Sequence, residues 1–127
     1  MKKSFFLFLL ASSLNNNLAL AEKLTCPTST IVKTAKFVSP IQDPYDREVW
    51  NFLSAPLSYG NRTWQISFGT FLPQAKTPQE ALVLGQAFFD NNPLLNKNPS
   101  LVKIPHQILC DYMPEGRTYW VSALTPP

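Results

Sequence analysis

The chain has 127 residues, 45% of them hydrophobic and 15% charged, with 11 Lys and Arg against 8 Asp and Glu for a formal net charge of +3. Two of those cations are Lys2 and Lys3, and without them the balance falls to +1 with the remaining charges scattered. So diffuse a distribution lacks the concentrated positive field that nucleic acids and anionic lipid surfaces require, so no nucleic-acid partner is expected.

The first residues, MKKSFFLFLLASSLNNNLALAEK, place two lysines before an apolar run from Phe5 to Ala11 and end on the small-x-small pattern Ala19-Leu20-Ala21. That is the layout of an export signal. The apolar run is shorter than the about 20 residues needed to span a bilayer, and Asn15-Asn16-Asn17 interrupts it. The reading is a signal peptide over residues 1–21, cut before Glu22, and a single small α+β domain over residues 22–127. The product is expected in the periplasm or the medium, without stable membrane insertion, and the Lys-Lys start has a bacterial look.

Cys26 and Cys110 are the two cysteines. In an oxidising compartment an even pair in a small exported chain reads as one disulfide. Closing a loop of roughly 85 residues stabilises by about 4 kcal/mol on the chain-entropy account. Lipidation of Cys26 is disfavoured, because the run Lys23-Leu24-Thr25-Cys26 lacks a small residue just before the cysteine.

A first helix is expected from Cys26-Pro27-Thr28-Ser29, with Ile31, Ala35 and Val38 on one face and Ser39-Pro40 as its stop. After the turn Asp43-Pro44-Tyr45-Asp46, a strand is expected over Arg47 to Ala55, and the breaker-rich Pro56–Asn61 reads as a hairpin loop. Trp64, Ile66 and Phe68 alternate with Thr63, Gln65 and Ser67, the pattern of a half-buried strand. Thr77-Pro78-Gln79-Glu80 carries the N-cap, first-turn proline and capping-box acid of a second helix, whose Ala81, Leu84, Gly85 and Phe88 share a face and which Asn91-Asn92-Pro93 ends. A loop is expected from Pro93 to Ser100. A strand with Ile108, Cys110 and Tyr112 follows, then a turn at Pro114-Glu115-Gly116, and a last strand from Arg117 to Leu124.

GNRTWQISF (Gly60–Phe68) and GRTYWVSAL (Gly116–Leu124) match in kind, which suggests two αββ units. The fold class expected is therefore α+β, a four-stranded antiparallel sheet with two helices on one face and one disulfide.

Thr25-Cys26-Pro27 opening a helix, Trp50 and Trp64 in paired strands, and Cys110-Asp111-Tyr112 before a Trp-bearing final strand resemble a group of small exported proteins of unknown function from intracellular Gram-negative bacteria. The resemblance spans most of the chain after the signal. It implies export and a disulfide, and no catalytic or binding residue.

Catalytic constellations are weak. His106, the one histidine, sits at a strand entrance with no nucleophile beside it. Asp43, Asp46 and Glu48 fit Asx turns better than a calcium loop. Glu48, Asp111 and Glu115 offer only a generic carboxylate set. Asn61-Arg62-Thr63 is a sequon, read as a chance match. No cofactor or metal is implied.

The aromatics say more. If Tyr119, Val121 and Ala123 face the helices, Trp120 and Leu124 point to the opposite sheet face, joined by Leu109, and that face is a candidate binding surface together with Tyr59. The expected function is an exported, non-enzymatic binding module for a protein or small ligand, with a homodimer compatible. The alternatives are an inhibitor of an exported hydrolase, acting through Pro56–Asn61 or Pro93–Ser100, and a small hydrolase using carboxylates or His106.

Overall fold

The computed structural model describes residues 24–94, 98–112 and 118–127. The signal segment expected over 1–21, Glu115 and the turn at 114–116 lie outside them.

The strand-forming residues pair into one antiparallel sheet of seven strands: β1 (Phe37–Gln42), β2 (Val49–Ser54), β3 (Leu57–Tyr59), β4 (Arg62–Phe71), β5 (Ser100–Ile104), β6 (Gln107–Asp111) and β7 (Tyr119–Thr125). Their order is β1-β2-β4-β7-β6-β5, with β3 pairing to the first residues of β4. Two helices accompany them, a single turn α1 (Ser29–Val32) and α2 (Pro78–Asn91). This overturns the four-stranded sheet built from two αββ units, although the Cys26–Cys110 disulfide is present, with a Cα–Cα distance of 5.8 Å.

The corrections have local causes. The first helix stops after one turn. Thr28 caps it by accepting from the Ile31 N–H, and Thr34 Oγ1 then donates to the Ile31 carbonyl at 2.6 Å. A segment rich in β-branched residues gains little by continuing as helix. Phe37–Gln42 becomes a sheet edge instead, where Pro40 costs no ladder bond because the strand pairs on one side only. The Pro56–Asn61 stretch is a true hairpin. Gly60 and Asn61 have φ of 58° and 62°, the pair of left-handed residues that a two-residue type I′ turn needs, and Tyr59 pairs with Arg62 across it. The loop expected after Pro93 ends at Ser100, where β5 begins. Pro105-His106 closes a second two-residue turn between Ile104 and Gln107, with His106 at φ 69°.

The second helix starts where its sequence says. Thr77 Oγ1 accepts from the Glu80 N–H at 3.1 Å. Gly85 lets α2 approach the sheet, since a Cβ there would lie 2.4 Å from the Phe52 ring. Phe89 then packs on Phe37 and Phe68 with ring centres 4.9 and 5.3 Å apart, and Phe88 on Tyr119 at 5.4 Å. The last turn of α2 has no basic residue of its own. Lys33 supplies the charge from the first segment, donating to the Phe89 and Asn92 carbonyls and lying 4.4 Å from the Phe89 ring centre. Burial makes that ammonium harder to charge, against the pull of Asp90. The disulfide end of the segment is pinned a second time, by Tyr112 donating its hydroxyl to the Pro27 carbonyl. Burial pushes the Tyr112 phenol above its ordinary range, and nearby Tyr59 adds to the effect.

Candidate functional site: the open sheet face

Alternation along the strands sorts side chains onto two faces. Trp50, Phe52, Trp64, Ile66, Phe68, Tyr119, Val121 and Ala123 are all buried, under α2 and the segment around α1. No element packs over the opposite face among the described residues. There the strand registers align side chains into rows. One row runs Ile41, Asn51, Gly69 and Trp120; the next runs Leu53, Ser67, Ser122 and Asp111; a third joins Gln65, Leu124, Leu109 and Val102.

Trp120 is half-buried although its face is open, because its indole is folded across the sheet. A Cβ on Gly69 would come within 2.1 Å of Nε1 and 2.2 Å of Cε2. The ring therefore occupies the space that any side chain at position 69 would fill. Its N–H donates to Asn51 Oδ1 at 3.1 Å, two strands away. The Phe71 ring meets it nearly perpendicular, at 89° and 6.4 Å between centres, with Phe71 itself 46% exposed. Three strands thus hold one aromatic side chain in a single pose.

Leu109 and Leu124 are direct cross-strand partners, half-buried, and Val102 extends them to the sheet edge. They do not touch Trp120's neighbourhood directly, because the serine row lies between. Tyr59 does not join them. Leu57 pairs with Trp64, so β3 turns Leu57 and Tyr59 to the covered side, where Tyr59 packs against the core and its carbonyl accepts from Trp64 Nε1 at 3.1 Å. Tyr59 is therefore not part of the open face. Sequence reasoning missed Asn51, Gly69 and Phe71. A lone glycine inside an alternating strand is the signal that marks close approach of another group.

Compared with models of protein families, with curated proteins and with solved structures, the chain matches none. The chemistry of the face is therefore read from its own side chains.

At the end away from Trp120 the face deepens into a hollow of about 250 Å³ bounded by Pro56, Gln65, His106, Leu124 and Pro126. His106 borders it from the exposed tip of the β5–β6 turn, and the carboxylate candidates do not converge on it. Asp43 Oδ1 accepts from the Tyr45 and Asp46 N–H groups at 2.8 and 2.9 Å, and Asp46 Oδ1 from Glu48 N–H at 3.1 Å. Those carboxylates therefore serve Asx turns. Glu48 leads into β2 and Asp111 ends β6, three strands along the sheet. No helix among the described residues is long and apolar enough to cross a membrane.

Proposed function

We propose that this chain is an exported, non-enzymatic binding module, akin to the small exported bacterial proteins it resembles, and that it recognises a protein or small ligand through the open face of its sheet. The lysine-led apolar start and the disulfide support export. The observation that carries the binding reading is Trp120. A large aromatic side chain stays partly exposed on a face that no described element covers, while Gly69, Asn51 and Phe71 fix its pose. A ligand meeting it encounters a surface already ordered, which lowers the entropy cost of association.

A photo-crosslinking residue placed at Ser122 in the producing cell tests this, with the same residue at Val83, on the outer side of α2, as control. The reading expects a mass-shifted adduct from Ser122, small for a metabolite and large for a protein, and none from Val83. Absence of an adduct at Ser122, or the same adduct at both positions, overturns it.

A further inference from the structure

Resting on that reading, we propose that the ligand of the open face is an uncharged oligosaccharide, stacked on the Trp120 indole and hydrogen-bonded by the amide and hydroxyl groups beside it. Three observations lead there.

The face around Trp120 is polar and nearly free of charge among the described residues. Asn51, Gln65, Ser67 and Ser122 surround or adjoin it, and of the strand residues on this face among those described, only Asp111 carries charge. Among the described strand residues of this face, a phosphate-bearing or strongly acidic ligand would find no cation. Neutral hydroxyls would find matching donors and acceptors.

The free hydrogen-bonding capacity is of both kinds. Asn51 takes the indole N–H on its carboxamide oxygen, which leaves its NH₂ as a donor. Gln65 donates from Nε2 to the Ser54 carbonyl at 3.2 Å, which leaves its side-chain oxygen as an acceptor. Ser67 and Ser122 are direct cross-strand partners, and each hydroxyl both donates and accepts. A sugar hydroxyl has the same dual character.

The indole offers its π-surface and not its N–H. A proline-rich peptide docking on an aromatic groove meets ring surface and, through its carbonyls, ring donors. Here the N–H is engaged within the protein, so what remains is a flat apolar surface, complementary to the C–H face of a sugar ring. Trp120 and Leu124 stand four residues apart on β7, about 13 Å along a strand, and the hollow beside Leu124 continues the track. A chain of rings fits that span better than one ring.

The test is a titration of the oxidised, ¹⁵N-labelled protein with millimolar chitotetraose, cellotetraose and maltotetraose, and with a proline-rich peptide as the rival probe. The proposal expects saturable shifts of the Trp120 Nε1–H signal and of the Ser67 and Ser122 amides with at least one oligosaccharide. Trp120→Ala should weaken that binding by at least about tenfold. Ser122→Arg, which leaves the indole contacts intact, should weaken it as well, so a folding defect in the first variant does not decide the result. No shift with any of the three sugars, shifts that map elsewhere, or shifts that survive both substitutions would overturn the oligosaccharide. Peptide binding or a protein crosslink at Ser122 in their place keeps the face and removes the sugar; with no adduct at Ser122 either, both readings fall.

Discussion

Gly69 and Trp120 face each other across neighbouring strands, and the indole of one lies where the missing side chain of the other would be. This pairing holds a tryptophan flush with an open sheet face, its edge braced by Phe71 and its N–H by Asn51. A Gly69→Ala substitution puts a methyl within 2.1 Å of Nε1, so the ring must lift. We expect a loss of about 1–3 kcal/mol from overpacking and greater acrylamide quenching of Trp120. Trp50 and Trp64 are 3% and 1% exposed, so the quenching change reports on Trp120.

Cys110→Ser should cost about 2–5 kcal/mol, read as a drop in denaturation midpoint. Intact mass with and without reductant should differ by the two hydrogens of one disulfide.

Thr77→Ala removes the acceptor for the Glu80 N–H and should cost about 1 kcal/mol. Circular dichroism during urea unfolding measures it, and a change of zero would move the start of α2.

What the sequence made legible is what local chemistry decides. Thr77-Pro78-Gln79-Glu80 announces α2, the alternation around Trp64 and Tyr119 announces β4 and β7, and two cysteines announce their bond. The rest depends on partners distant in the chain. Pro40 reads as a helix stop until β2 is known to pair on one side of it only. Ser100–Ile104 follows a run of prolines and asparagines, and only its antiparallel neighbour β6 makes it a strand. The face assignment of Trp120 follows from alternation, but its brace does not, because Asn51 and Gly69 are 69 and 51 residues away in sequence. Tyr59 turns to the covered side because its short strand pairs with the start of β4, which three residues of sequence do not reveal.

Stability should fall at alkaline pH through Tyr112. Its folded-state pKa is raised, by burial first and by Tyr59 second, whereas an unfolded phenol titrates near about 10. The contribution is therefore complete below about pH 10 and is lost above it, where the unfolded chain sheds a proton that the folded chain retains. Lys33, with a lowered pKa, acts in the opposite sense, so the comparison must be against a variant. Tyr112→Phe should lose about 1 kcal/mol at neutral pH with the bond to Pro27 and show a flatter alkaline decline. An unchanged decline would contradict the assignment.

Trp120 belongs to the open face and Trp64, 1% exposed, to the core, and their truncations should differ accordingly. Chemical denaturation of Trp64→Ala and Trp120→Ala, side by side with the parent, should show a loss of about 3–5 kcal/mol for the first, as for a core truncation, and clearly less for the second. Equal losses would make Trp120 a core residue and contradict the open face on which the proposed function depends.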